Sequence, residues 1–161
     1  MIYDRVRNLE SAPYPTANED SVFELLRTYL ENNPKTGYLI FQVTQETPLH
    51  GIMPVSDAKV TVSKLLGNNF YVSKVIKTGS DGKTPPIPLP TVDGGLSTIP
   101  GDSMVYSTYS ARVEASGFTN TDIFGIQVFD SIKSIQPVTL KPITINSTTN
   151  TYKTEPQNLC K

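Results

Sequence analysis

The sequence predicts a mainly β protein, a seven-stranded Greek-key β-sandwich with a short N-terminal helix and extended termini. Apolar residues make up 37% of the 161 residues and charged residues 18%, with 13 prolines and 10 glycines. This balance favours a loop-rich β domain over a helical bundle or a disordered chain. From Gly37 onward, short runs alternate apolar and polar residues with a period of two. Turn-forming residues separate the runs, as they do between the strands of a sandwich.

Residues 1–36 are predicted to form an N-terminal arm and an amphipathic helix. Pro13-Tyr14-Pro15 favours an extended path, and Ser21-Val22-Phe23-Glu24 has the pattern of a capping box. The apolar stripe of the helix comprises Val22, Leu25, Leu26, Tyr29 and Leu30. Asn32-Asn33-Pro34 ends the helix. Because a helix of about three turns is marginal alone in water, we expect this stripe to dock on its own domain or on a neighbouring copy.

Residues 37–143 are predicted to form the sandwich. Its alternating runs are Leu39–Thr44, Ala58–Ser63, Phe70–Thr78, Tyr109–Ala115, Ile126–Val128 and Ile135–Ile143. Pro85–Pro90 is extended but poor in amide donors, which predicts an edge strand or a surface loop. Thr84–Ser103 forms a long connection of the kind that often contacts a partner. The Thr- and Asn-rich residues 144–161 are either a strand or a flexible tail.

Charge and hydropathy restrict the partners and the location. The net charge is −1 and the basic residues are scattered, so we expect no nucleic-acid binding. No run approaches the about 20 apolar residues needed to cross a bilayer. The first ten residues lack the apolar core of a signal peptide, although a mature chain could have lost one. We therefore expect a cell or spore surface to be reached without a signal peptide, by mother-cell lysis or particle assembly.

No arrangement of residues points to catalysis, so we expect neither an enzyme nor a cofactor or metal site. His50 is the only histidine, and its surroundings predict an exposed loop position. Asp81 lies in a sequence that favours a plain turn over a calcium loop. Further aspartates near strand ends are either solvated turn residues or a converging ion site; they are Asp57, Asp93, Asp102, Asp122 and Asp130.

Three residues bear on covalent chemistry. Lys59 and Asn146 are conceivable partners for an isopeptide bond, although Lys59 falls on the polar face of its strand. Asn146-Ser147-Thr148 matches a glycosylation acceptor, which we attribute to chance. Cys160 is the only cysteine and cannot form an internal disulfide. It is either a reduced thiol or the site of a disulfide between chains.

Three short motifs follow one another within residues 37–143. They are Pro54–Val62 with the pattern P-x-x-x-A-x-V-x-V, Thr78–Gly82 with T-x-x-x-G, and Tyr109–Phe118 with Y-x-x-x-V-x-A-x-G-F. Together they resemble the carboxypeptidase regulatory-like domain, a transthyretin-like or Ig-like sandwich often used as an accessory module. Val128–Val138 resembles a subgroup from clostridia-like bacteria, in single-domain surface or spore-associated proteins. The resemblance implies a fold and a non-catalytic role, and it carries over no catalytic residue.

These observations lead to two functional hypotheses. The first is a non-catalytic structural subunit whose terminal extensions add to the sheet edge of neighbouring copies, building a fibre or appendage on a bacterial cell or spore surface. The alternative is a carbohydrate- or protein-binding adaptor of a phage-tail-like or injection-system particle. In that case Thr84–Ser103 would contact the ligand, although this loop lacks the aromatic residues that sugar platforms usually present.

Overall fold

A computed structural model describes residues 19–95, 105–144 and 150–153 of the chain. The elements are α1 (Glu19–Asn32), β1 (Lys35–Thr47), β2 (Gly51–Pro54), β3 (Lys59–Leu66), β4 (Asn69–Lys77), β5 (Ile87–Thr91), β6 (Ser107–Glu114), β7 (Thr121–Val128), β8 (Lys133–Leu140) and β9 (Asn150–Lys153). The prediction of a mainly β protein is confirmed. The described residues form nine strands where the sequence predicts seven. β2 is too short to show an alternation, and β9 lies in the Thr- and Asn-rich segment that the sequence left open.

The strands form two sheets, named A and B. In sheet A, β1 is central, β8 runs parallel along one side, and β5 and β2 run antiparallel along the other. In sheet B the order is β4-β3-β6-β7-β9, and only the β7–β9 pairing is parallel. The two sheets contribute to one apolar core, which gives the molecule a sandwich-like architecture.

The core consists of inward-facing residues of both sheets, which alternate with less buried residues along β1, β5 and β6. Its largest fully buried side chains are Tyr109, Phe41, Leu39, Ile87, Leu89, Ile123 and Leu140. Tyr29 of α1 packs against this cluster. The valines of β1, β3, β6, β7 and β8 supply most of the rest, as expected for β-branched residues on a half-buried pleated surface.

The helix is present but begins earlier than its sequence predicts. α1 starts at Glu19, so Ser21 lies in its first turn instead of capping it. Glutamate is a good helix former, which is compatible with a start before Ser21. α1 ends at Asn32, as the following Asn33-Pro34 predicts.

A tight turn covers the part of β1 between β5 and β2. The Val43 amide donates to the Gly82 carbonyl at 2.8 Å, and the Thr84 amide donates to Phe41 O at 3.0 Å. Gly82 has a φ of 76°, and a Cβ there would lie 2.5 Å from Val43 O. Glycine is therefore required at this position. The turn confirms the structural prediction for Ser80–Lys83, where Asp81 accepts a hydrogen bond from the Lys83 amide.

Candidate assembly surfaces

The apolar stripe of α1 is only partly covered by the sandwich. Val22, Leu26 and Tyr29 are half-buried, whereas Leu25 and Leu30 are exposed, Leu30 by 54%. Phe23, which lies two turns before Leu30 on the same side of the helix, is 67% exposed. The helix therefore docks on its own domain through one side of the stripe and leaves an apolar flank in solvent.

Tyr29 fixes the C-terminal half of α1 to both sheets. Its hydroxyl is hydrogen-bonded to the Tyr109 hydroxyl, which in turn donates to the Pro90 carbonyl in β5. Asn33, just beyond the helix, donates to Tyr29 O at 2.7 Å and accepts a hydrogen bond from Ser107. These bonds join α1, sheet A and sheet B at one end of the core.

Lys64 completes this polar cluster. Its ammonium donates to Thr108 O at 2.7 Å and lies 5.1 Å from the Tyr109 ring centroid and 5.9 Å from that of Tyr29. Burial lowers the pKa of Lys64 and raises the pKa values of Tyr29 and Tyr109; the bond to Tyr29 raises that of Tyr109 further. The rings take the place of a counter-ion, as in other cation–π contacts.

Prolines block the free edge of sheet A on the β5 side. The Val43 amide points to this side of β1. Because backbone direction alternates along a strand, Ile87 and Leu89 turn their amides toward β1. Pro88 and Pro90 therefore occupy the outward positions, where they present no N–H to a further strand. The sequence leaves open whether Pro85–Pro90 is an edge strand or a surface loop. In the structure this segment contributes to β5, an edge strand.

The β8 side of sheet A is blocked in the same way. The Tyr38 amide donates to Ile132 O at 2.9 Å, which sets the direction of the parallel ladder. In this ladder Ser134 and Gln136 turn their amides toward β1 and Pro137 occupies an outward position. Both edges of sheet A thus carry proline at positions where an incoming strand would need a donor.

The β4 edge of sheet B differs, because it carries no proline and exposes apolar side chains. Within the described ranges β4 pairs only with β3, and Phe70, Val72 and Val75 are 51%, 64% and 56% exposed. Lys74 and Lys77 also lie on this strand. A nine-residue edge of this kind can accept a further strand.

Two bulges shape the outer face of sheet B beside this edge. One gives β4 an extra residue at Ser73, and the other gives β7 an extra residue near Gly125, which has a φ of 75°. The rings of Phe70 and Phe124 meet above β3 and β6 with centroids 6.0 Å apart. They wall a concavity of about 390 Å³ whose floor includes Ser63 and Ser110.

A charged pair closes one side of this concavity. Arg112 makes two hydrogen bonds to Asp122, at 2.6 and 2.7 Å. The bidentate contact raises the pKa of Arg112 and leaves Asp122 with its carboxylate occupied. The concavity is therefore mainly apolar, with its principal charges already paired.

The second edge of sheet B is formed by the C-terminal strand. β9 pairs with β7 in parallel over four residues, from Thr121↔Asn150 to Phe124↔Lys153. The chain before it is held at the 117–119 loop, where the Ile143 amide donates to Gly117 O and the Thr119 amide to Lys141 O. The Thr- and Asn-rich segment thus supplies a strand to its own sheet.

Of the residues predicted to lie in turns, His50 and Asp57 do so, whereas Asp122 lies within β7. His50 is exposed in the turn between β1 and β2, and its amide donates to Thr47 Oγ1 at 3.0 Å. Asp122 pairs with Arg112, and Asp57 adopts a φ of 56° in the turn before β3. Asp102 lies outside the described residues.

Two of the aspartates accept hydrogen bonds from adjacent backbone amides. Asp130 Oδ2 accepts a hydrogen bond from the Gly94 amide at 3.1 Å, and Asp93 Oδ1 accepts one from the Gly95 amide at 2.9 Å. The Ser131 hydroxyl and the Gly94 amide lower the pKa of Asp130. In the described ranges no three His, Cys, Asp or Glu side chains are arranged to hold a metal ion.

Lys59 lies on the outer face of sheet B, in a setting unsuited to an isopeptide bond. Its ammonium is 3.8 Å from Glu114 Oε2, and the other oxygen of Glu114 accepts a hydrogen bond from Asn120 at 3.5 Å. The side chains of Lys59 and Glu114 are 51% and 36% exposed, whereas the predicted bond requires a buried carboxylate beside the lysine. Asn146 and Cys160 lie outside the described residues, and the predictions for both stand as made.

The sequence reasoning missed the exposed apolar residues of β4 and the ring of Phe124. The Ser73 bulge breaks the alternation of β4, so its apolar residues did not separate into an inner and an outer set. The sequence did contain a signal. β4 has apolar residues at both odd and even positions together with two lysines, a pattern that suits an edge strand.

No protein-family model matches the chain, and neither does any curated protein. Among solved structures, it aligns with the crystal structure of GBS52, the minor pilin in the Gram-positive pathogen Streptococcus agalactiae, with a TM-score of 0.44 and 11% identity. The alignment covers 70% of this chain and 47% of the pilin, so the chain spans about half of that protein. α1, the only α-helix in the described residues, is too short and too polar to cross a membrane.

Proposed function

We propose that the protein is a non-catalytic structural subunit, built on a transthyretin-like or Ig-like sandwich, that self-assembles through its terminal extensions into a fibre or appendage on a bacterial cell or spore surface. The observation that carries the proposal is the pairing of β9 with β7. A four-residue parallel strand at the end of the chain covers the edge of sheet B. The same hydrogen bonds form equally well when β9 comes from a neighbouring copy.

The connection before β9 makes such an exchange feasible. Residues 141–143 are held at the 117–119 loop, and six residues, 144–149, then lead to β9. Six extended residues span about 20 Å, which is enough to reach an adjacent subunit instead of the chain's own β7. Because each subunit would accept one tail and donate another, the contacts run head to tail and build a filament when the rotation does not close.

Truncation tests the proposal. We expect full-length protein to form large species in size-exclusion chromatography and filaments in negative-stain images. Deletion of residues 150–161 should abolish them while the circular dichroism spectrum stays that of a folded β protein. Deletion of residues 154–161 is the matched control, because it shortens the tail and keeps β9. A full-length protein without large species, or filaments that survive loss of β9, would refute the assignment.

Cys160 offers a covalent version of the same contact. In the proposed assembly the tail crosses to another subunit, which brings its thiol close to a second chain. Under oxidising conditions we expect a disulfide-linked species on non-reducing gels that Cys160→Ser removes. A gel without that species, under conditions in which filaments form, would show that the assembly holds without a covalent link.

The adaptor hypothesis is the second candidate, and the concavity beside Phe70 and Phe124 favours it. Two aromatic rings over a floor of small polar residues suit an apolar or sugar face. A monodisperse monomer that binds a glycan or peptide, with affinity lost in Phe124→Ala, would support this candidate over the structural subunit. Phe23→Ala, an exposed aromatic on α1, is the control.

A further inference from the structure

The β4 edge has the backbone geometry of a strand that awaits a partner. The tight turn at Gly67-Asn68 makes Leu66 and Asn69 a hydrogen-bonded pair, so Phe70 and Val72 turn their backbone groups away from β3. Beyond the bulge, the Thr78 amide bonds to Ala58 O, which sets the opposite alternation and turns Val75 and Lys77 outward. Within the described part of the chain, four residues of β4 therefore present donors and acceptors that β3 does not use.

Their side chains share one face. Phe70 and Val72 pair with Leu65 and Ser63, and Val75 and Lys77 pair with Thr61 and Lys59, all on the outer side of sheet B. The extra residue at Ser73 keeps both halves in phase with that face. An incoming strand must match this spacing, including the bulge, to pair along the whole edge.

A second β4 matches it. When two copies run antiparallel with Val72 of each opposite Val75 of the other, Phe70 falls opposite Lys77, and all four outward residues of each strand are paired. Tyr71 then faces Ile76 on the inner side, where both are half-buried. In this register backbone direction and side-chain face agree at every pair.

The charges fit the same register. Lys74 falls opposite Ser73 and Lys77 opposite Phe70, so no lysine directly faces a lysine across the two-fold axis. The exposed rings and valines of the two copies become one continuous apolar band, with each Lys77 ammonium beside an aromatic ring. Sheet A offers no edge of equivalent length, because β5 and β8 carry Pro88, Pro90 and Pro137 at outward positions and β2 has only four residues.

We propose that β4 pairs with β4 of a second copy in this register, joining two five-stranded sheets edge to edge around a two-fold axis. The inference rests on the proposed function in one respect, since the partner is again a copy of this chain. It adds an interface that does not use the terminal extensions. An isologous contact of this kind closes at two subunits. It would therefore join two filaments side by side instead of lengthening one filament.

Charge exchange at the two valine pairs tests the register. Two double variants each place like charges opposite each other at both pairs. One is Val72→Lys with Val75→Lys, and the other is Val72→Glu with Val75→Glu. We expect each double variant to raise the dimer dissociation constant about a hundredfold. An equimolar mixture of the two should restore the dimer, because every pair then joins a lysine to a glutamate. Sedimentation velocity measures all three samples.

The control carries the same added charge on the β8 edge, in Ile135→Lys with Thr139→Lys, where both side chains are exposed. This variant should dimerise as the wild type does. Circular dichroism confirms that each variant is folded, which we expect because the replaced side chains point into solvent. A lysine variant that dimerises as tightly as the wild type, or a mixture that stays monomeric, would overturn the proposed register.

The truncation of residues 150–161 separates this inference from the proposed function. Dimers that persist in the truncated chain, and that Val72→Lys with Val75→Lys removes, support the β4 contact. A truncated chain that is monomeric at its highest soluble concentration overturns it, while filaments of the full-length protein would leave the proposed function standing. If the truncated chain forms dimers and the full-length protein forms nothing larger, the β4 contact stands and the proposed function is refuted.

Discussion

The edges of the two sheets are built from different residues. In sheet A the outward positions of β5 and β8 hold prolines, and the turn at Gly82 and the four-residue strand β2 occupy the rest of the β5 side. Sheet B ends in β4, which exposes a ring and two valines, and in β9, a short strand from the end of the chain. The first sheet is closed to strand addition, whereas the second is open or covered by an exchangeable segment. The contrast indicates where association is to be sought.

The largest expected effect comes from the covered side of sheet A. Gly82→Ala forces a Cβ to 2.5 Å from Val43 O at a φ of 76°. We expect the free energy of unfolding to fall by about 3 kcal/mol, because neither the turn nor β1 can move without losing hydrogen bonds. Urea denaturation measures this loss. Gly51→Ala is the control, since its φ is also positive but nothing lies within 4 Å of the new methyl, and it should cost about 1 kcal/mol.

The second effect lies where α1 joins both sheets. Tyr29→Ala removes a half-buried ring and its hydrogen bond to Tyr109. We expect a loss of about 2 kcal/mol in stability and faster amide exchange throughout α1. Hydrogen exchange followed by mass spectrometry reports both. Leu30→Ala, at an exposed position of the same helix, should leave exchange unchanged; equal protection in both variants would contradict the anchoring role of Tyr29.

The third test opens the closed edge. Pro137→Val supplies an outward N–H to β8, so the edge of sheet A comes to resemble β4. We expect self-association to rise about tenfold while stability changes by less than about 0.5 kcal/mol. Sedimentation velocity and urea denaturation measure the two quantities. Val72→Pro is the converse variant, since it removes an outward amide from β4 and should weaken association. Identical behaviour of the two variants would show that proline placement does not govern these edges.

The smallest effect concerns pH. Burial lowers the pKa of Lys64 below its ordinary value of about 10.5. Between these two values the unfolded chain holds a proton that the folded chain has lost, so stability rises with pH in that window. Lys64→Met should remove this rise, as thermal unfolding followed while the pH is raised toward about 10.5 would reveal. An unchanged pH profile in the variant would indicate that the Lys64 amine titrates as in solvent.

The strands in which apolar and polar residues alternate without a break could be predicted from the sequence. β1, β3 and β6 follow uninterrupted alternation, and their inward residues form the core. The end of α1 was predicted correctly because Pro34 excludes a longer helix. Its start was predicted too late, because the acidic residues before Ser21 are themselves compatible with a helix. The β5 prolines predicted an edge because an absent N–H is a property of the residue and needs no tertiary information.

The candidate surfaces were less predictable because they depend on register. The outward set of β4 emerges only when the bulge at Ser73 and the pairing with β3 are known, and no local pattern specifies them. The meeting of Phe70 and Phe124 requires the order of four strands. For the Thr- and Asn-rich segment the sequence predicts either a strand or a flexible tail. Its parallel pairing with β7 could not be predicted, because a run of polar residues does not indicate which sheet edge it joins.

The parallel pairing of β8 with β1 has a consequence for biosynthesis. Thr44 in β1 bonds through its hydroxyl to Val138 O at 3.5 Å, across 94 positions of the chain. During translation, β1 lacks its parallel neighbour β8 until these 94 further residues have left the ribosome. In that interval its long apolar run is open on one side. A chaperone that binds extended apolar segments should therefore associate with nascent chains from which β8 has not yet emerged and release those in which residue 140 has left the ribosome.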